Sequence, residues 1–148
     1  MSPSAWSRRA LGLDLGHRRI GVAVSDSAGV VALPLCTIER TGSIESDHAE
    51  VAKLVSELGV RVVVVGLPRS LDGGMGPAAR AARSESETLS DELGPSVDVV
   101  THDERFTTVE ADRALRASGK NGKARRRNID QSAAAVLLQA WLEAGTRG

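Results

Sequence analysis

Three acidic positions stand where the sequence pattern leads inward rather than out to solvent: Asp14 in ALGLDL, one of the two acids in Asp103-Glu104-Arg105, and Asp130 at the head of a carboxy-terminal apolar stripe. A charge in such places is costly unless it is paired or bound to a cation. Convergent carboxylates form a set of hard oxygen donors, which suits Mg2+ or Mn2+. Two such ions can activate a water and stabilise the leaving oxygen of a phosphodiester. Each acid also has a plainer reading. Asp14 could cap a turn or pair with Arg18 or Arg19, and Asp103-Glu104 could form a surface acidic turn beside Arg105. Asp130 could simply be a carboxylate favoured by the dipole at a helix start.

The elements that must position these acids follow from periodicity. Ala10–Leu15 and Ile20–Ser25 read as strands joined by the short turn Gly16-His17-Arg18-Arg19, an antiparallel hairpin. Val31–Glu39 reads as a third strand, interrupted by Pro34. Ser43–Leu58 has helical spacing, with Ser43 as N-cap and Gly59 as its stop. Val60–Leu67 is a β-branched run suited to a strand covered on both faces. Pro77–Leu93 reads as a helix and Val97–Thr101 as a fifth strand. Thr107-Thr108-Val109-Glu110 fits a capping box opening a helix to about Ser118. A last helix is expected over Ile129–Ala144, with Asn128 and Gln131 in capping positions. The order gives an α/β architecture: a mixed five-stranded sheet flanked by helices.

Side chains alternate along a strand, so Asp14 shares a face with Ala10, Gly12 and Gly16, small neighbours that leave room for something to approach. Asp103 and Glu104 face opposite ways if their strand persists, so only one of them reaches a common site. At about 100° per residue, Asp130 falls on the stripe of Ala133, Ala134, Leu137 and Trp141, away from Gln131, Ser132 and Gln139.

The composition bounds the rest. The chain has 148 residues, with 19 Lys+Arg against 19 Asp+Glu, which predicts one domain over 1–148, its first nine residues flexible. A single cysteine, Cys36, excludes an internal disulfide and a cysteine-built zinc site. No run approaches the roughly 18 apolar residues of a membrane span, and the start carries no signal-peptide core; a soluble cytoplasmic protein is expected, with no membrane partner. Trp6, Phe106 and Trp141 are the only aromatic residues, too few for a base-stacking platform. Nucleic acid would therefore be held through its backbone charge. Arg113–Arg127 supplies that charge, with Arg113, Arg116, Lys120, Lys123, Arg125, Arg126 and Arg127 and no acid among them. The bland alternative is a solvated basic loop. Gly66–Gly74 lacks the ending of a nucleotide P-loop, and no serine has a His–Asp partner set. His48 is expected exposed on its helix, His17 and His102 flank the acids, and Cys36 reads as a small core residue.

Four ordered segments carry a resemblance: Leu11–Asp26, Val65-Gly-Leu-Pro68 with Leu71-Asp-Gly73, Asp103–Thr108, and Ile129–Val136. Together they resemble the YqgF/RuvX family over nearly the whole chain. The resemblance implies a ribonuclease-H-like fold and a bacterial cytoplasmic nuclease, associated with maturing the 5′ end of pre-16S rRNA or, in some members, with resolving Holliday junctions. It implies that Asp14, Glu104 and Asp130 are the metal-binding catalytic acids. Arg105 matches the motif's arginine, and contact with the scissile phosphate is the role expected of it; from their charge, Arg18, Arg19, Lys120, Lys123 and Arg125–Arg127 are expected to bind substrate. Gly16-His17-Arg18 stands where Gly-Thr-Lys is familiar, and Phe106 where leucine is common; neither change removes a carboxylate.

Two other substrates or roles compete. Symmetric cutting of a four-way DNA junction needs two sites and hence a homodimer, where a monomer suffices for structured RNA. A non-catalytic RNA-binding assembly factor would keep the basic surface and use the acids structurally. A two-domain nucleotide-binding fold needs more chain than is present.

Overall fold

The computed structural model describes residues 9–69, 74–104 and 122–147, with the side chains of 133–145 in the last of these. Its strands are β1 (Ala10–Leu15), β2 (Arg19–Ser25), β3 (Ala32–Glu39), β4 (Val62–Leu67) and β5 (Asp98–Asp103), and its described helices are α1 (Ile44–Leu58), α2 (Pro77–Leu93) and α3 (Gly122–Arg147). The sheet order is β3-β2-β1-β4-β5. The β1/β2 and β2/β3 pairs are antiparallel, and β1/β4 and β4/β5 are parallel. This is the mixed five-stranded sheet that the element order predicts.

The sheet's two faces differ in what they bury. Leu11, Leu13, Ile20, Val22, Val63 and Val65 pack with Val51 and Val55 of α1 and Leu89 of α2. On the other face Ala10, Ala23 and Val64 pack with Ala134, Leu138 and Leu142 of α3. Small residues here let the helix come close: a Cβ added at Gly12 would stand 2.8 Å from the Cβ of Leu138 and 3.0 Å from the Ala134 carbonyl. The room that Gly12 leaves is thus taken by α3 and not held open for a ligand.

Local signals set most element ends. The Ser43 hydroxyl accepts the Ser46 N–H, and Gly59 ends α1 at φ +67°, a left-handed backbone that a Cβ would strain. Pro77 opens α2, where its missing N–H costs nothing. Strand β3 tolerates Pro34 because it is an edge strand with a register shift between Val22 and Ala23 of its neighbour.

Three expectations need correction. Strand β5 runs from Asp98 to Asp103 rather than over Val97–Thr101, because pairing with β4 continues to Leu67 and Asp103 after the apolar pattern ends. The last helix begins at Gly122, not at Ile129. Lys, Arg and Ala are good helix formers, so the basic stretch 123–127 continues the helix instead of forming a loop. Positions 128 and 131 then lie inside the helix rather than at its start, and Asp130 is not in its first turn. His48, expected exposed, is 2% exposed. The proposed helix at 107–118 and the loop at 70–73 lie outside the described residues.

Candidate active site

Asp14 is the fifth residue of β1 and is buried beside α3's face of the sheet. The β1/β4 register pairs Gly12 with Val64 and Leu13 with Val65, so one step further Asp14 and Gly66 stand level on neighbouring strands, about 5 Å apart. Glu104 immediately follows β5 and is 4% exposed. Its carboxylate lies over Gly66: a Cβ added there would stand 2.6 Å from Oε1 of Glu104 and 3.0 Å from Cδ2 of Leu137. The missing side chain of Gly66 is what gives Glu104 a seat on the same face as Asp14. Asp14 and Glu104 therefore share one face of the sheet near the carboxyl ends of β1, β4 and β5, where open α/β sheets bind ligands.

The strand alternation separates Glu104 from Asp103. Asp103 turns to the opposite face, with its Oδ2 3.7 Å from Arg69. His102, level with Gly66 in the β4/β5 register, shares the face of Glu104. Its Nε2 is buried with no hydrogen-bond partner among the described residues. Burial holds its imidazole below the usual histidine range, against a smaller opposing effect of Asp103.

Position 130 lies on α3 one turn before Ala134, and the helix runs from Ala134 and Leu137, beside Gly12 and Gly66, down to Gln139, which binds the backbone of Val30 and Ala32. The helix thus carries position 130 toward the strand ends that hold Asp14 and Glu104. The side chains of Asp130, Lys123, Arg125, Arg126 and Arg127 lie outside the described ones, as do Arg105 and Lys120 altogether. Among the described residues no group of three His, Cys, Asp or Glu gathers as a metal site. Asp14 and Glu104 supply two carboxylates. Their donor chemistry, their burial and the notch at Gly66 fit a hard divalent ion.

Of the two turn arginines proposed to touch substrate, Arg18 is exposed, whereas Arg19 is half-buried with its Nε 3.7 Å from Glu39. A cleft of about 460 Å³ opens beside them, lined by His17, Arg18, Arg40, Glu39, Ile44 and Asp47. Its mixed charge suits one phosphate contact at Arg18 better than a polyanion track. Sequence reasoning passed over Gly66 as a seat for Glu104, and it passed over Arg40. No pattern signals either, because each acts on a partner far away in the chain.

Comparison with known proteins bears on this site. A family model described as "RuvX: Holliday junction resolvase" matches residues 8–144. A protein of Mycobacteroides abscessus named "Putative pre-16S rRNA nuclease" is 45% identical over 135 residues, 91% of this chain and 81% of that one. A Myxococcus xanthus protein of the same name is 46% identical over 136 residues, 92% and 88% of the two chains. Among solved structures, Thermus thermophilus RuvC in complex with a Holliday junction substrate covers 94% of this chain and 96% of its own, with a TM-score of 0.53 at 16% identity. That likeness establishes the ribonuclease-H-like fold.

Proposed function

The chain belongs to the RuvX family, and from that membership we propose that it is a divalent-metal-dependent nuclease that cuts structured RNA in the 5′-end processing of pre-16S rRNA. The observation that carries the reading is the seating of Glu104 over Gly66, level with Asp14 on the next strand. Two buried carboxylates at the carboxyl ends of the strands support a cation-binding role.

In this reading Asp14, Glu104 and Asp130 hold Mg2+ or Mn2+, which would supply an activated water and charge stabilisation for the leaving oxygen. Arg18 and Arg105, with Lys120, Lys123 and Arg125–Arg127, bind phosphates, and Arg19 acts through its pair with Glu39 to shape the turn. Phosphate contacts position the substrate without reading its bases, which agrees with the scarcity of aromatic residues. Among the described residues no helix is long and apolar enough to cross a membrane, and the place of action that fits the reaction is the cytoplasm.

The description of the family model favours a second substrate, a four-way DNA junction cut by a homodimer. One assay separates the two: an end-labelled pre-16S 5′ leader and a four-way junction, each with Mg2+, Mn2+ or EDTA, and with Asp14→Asn alongside. Metal-dependent RNA cleavage that the variant loses supports the proposal. Paired cuts in the junction alone replace it with the resolvase. RNA binding without cleavage of either substrate leaves an assembly factor.

A further inference from the structure

Among the described residues, a partly buried set of charges lies under the opposite face of the sheet. Arg40, just after β3, donates from Nη1 and Nη2 to the two carboxylate oxygens of Glu85 in α2, at 2.8 and 3.0 Å. Its Nη1 is also 3.6 Å from Asp47 of α1. Behind Glu85, the buried His48 ring places Nε2 2.8 Å from Glu85 and Nδ1 against Glu92. Each ring nitrogen thus faces a carboxylate oxygen. Hydrogen bonding to Glu85 raises the Arg40 guanidinium above its ordinary value. Burial alone would raise Glu85, but Arg40 and His48 outweigh it and hold it below the carboxylate range.

A buried ionic set of this kind adds little net stability, because desolvation offsets its attraction. What a bidentate arginine adds is geometry. The remaining donor shows which geometry: Arg40 Nε donates to the carbonyl of Gly16 at 2.8 Å, and the Arg40 backbone N–H donates to the carbonyl of Arg18 at 2.8 Å. Gly16 in turn donates its N–H to the carbonyls of Asp14 and Arg19, each at 3.1 Å. The turn has no slack, since a Cβ at Gly16 would stand 2.7 Å from the Arg19 carbonyl. One guanidinium, clamped by two helices, therefore pegs the turn that joins Asp14 to Arg18 and Arg19.

We propose that Arg40 is a positioning residue for the nuclease site: it fixes the Gly16–Arg19 turn and thereby Asp14, and Glu85, backed by His48 and Glu92, holds Arg40 in place. The proposal rests on reading Asp14 as a metal ligand. Second-layer partners of metal ligands typically change metal affinity or activity by about 10–100-fold when altered.

The test uses Arg40→Lys, which keeps a charge for Glu85 but cannot serve Glu85 and Gly16 together, with Glu85→Gln as a second variant. Amide hydrogen exchange at Gly16 is followed in the metal-free protein, Mn2+ binding by calorimetry, and the Mg2+ midpoint of cleavage. The expected result is faster exchange at Gly16 and metal affinity and midpoint weakened about tenfold, with a smaller change for Glu85→Gln and melting temperatures near the parent's. Unchanged exchange, or a lowered melting temperature with an unchanged metal midpoint, overturns the proposal. If the parent binds Mn2+ yet cuts neither RNA nor DNA, the nuclease reading fails while exchange and calorimetry still decide the role of Arg40.

Discussion

The two faces of one sheet are built to different ends. Toward α1 and α2 the strands present Leu11, Leu13, Ile20, Val22, Val63 and Val65, large side chains that are fully buried. Toward α3 they present Ala10, Gly12, Ala23 and Gly66, and the carboxylates of Asp14 and Glu104. Burial of apolar surface contributes about 25 cal/mol per Å², and the first face fills its inward positions with large apolar side chains. The second gives up side-chain volume to bring a helix and two acids close together. Large apolar side chains and the small or acidic ones thus take opposite sides of the same strands, alternating residue by residue along β1.

The strongest test of that division is Asp14→Asn, which keeps volume and removes the charge. Losing a metal-binding carboxylate should lower cleavage about 10³-fold, several kcal/mol of transition-state stabilisation. The metal-free melting temperature should hold or rise, since a buried amide costs less than a buried charge. Single-turnover kinetics and thermal melts on the same preparation read both. A parent-like rate would break the comparison at once.

Leu89→Ala on the first face is the mirror experiment. Leu89 is 1% exposed against the β-strand core, and its truncation should cost about 2–5 kcal/mol of unfolding free energy. Urea unfolding measures that loss, while the rate per folded molecule and the Mg2+ midpoint should stay within about twofold, well under the tenfold that 1.4 kcal/mol would produce. A large rate loss in the folded fraction would show that the two faces are not separable.

The glycines sharpen the boundary inside the second face. A methyl at Gly12 meets the Ala134 carbonyl and the Leu138 Cβ, atoms that move only with the helix, so Gly12→Ala should destabilise by about 1–3 kcal/mol. A methyl at Gly66 first meets the far end of Glu104, a group that can swing away. Gly66→Ala should therefore cost less stability than Gly12→Ala and lose about tenfold in metal affinity, as for a displaced ligand support. Paired melts and Mn2+ calorimetry check the inversion.

These pairs also explain what could be read from the chain. Asp14 was legible because strand alternation set it among small residues in an apolar run; the same alternation allowed only one of Asp103 and Glu104 to reach a common site, and the family resemblance, not the alternation, pointed to Glu104. The cap at Ser43, the stop at Gly59 and the Pro77 start were legible because each end is decided by its own residues. The start of α3 was not, because charge pattern says little about helix when Lys, Arg and Ala are all good formers. The strand end at Asp103 was set by a partner strand 36 residues away in sequence, from Leu67. His48 was misread for the same reason: its carboxylate partners lie 37 and 44 residues further on, and nothing near it announces them.

The smallest expected effect concerns the charges under the first face. Asp47 and Glu85 are both held below the ordinary carboxylate value. Burial opposes this in each, but the Thr41 N–H and hydroxyl, helped by Arg40, outweigh it at Asp47, and Arg40 and His48 outweigh it at Glu85. A carboxyl with a depressed folded-state pKa contributes stability above its unfolded value, near 4, and loses it as pH falls through the folded value. Melting temperature should therefore be flat near neutrality and fall below about pH 4.5. In Glu85→Gln one of these groups no longer titrates, so the acid limb should be shallower than the parent's. Asp14 lies on the other face from Glu85 and Asp47, so Asp14→Asn should leave the acid limb's Glu85 and Asp47 component in place. If Asp14→Asn flattens the limb and Glu85→Gln does not, acid stability belongs to the site and not to the clamp, and the assignment of the two faces is reversed.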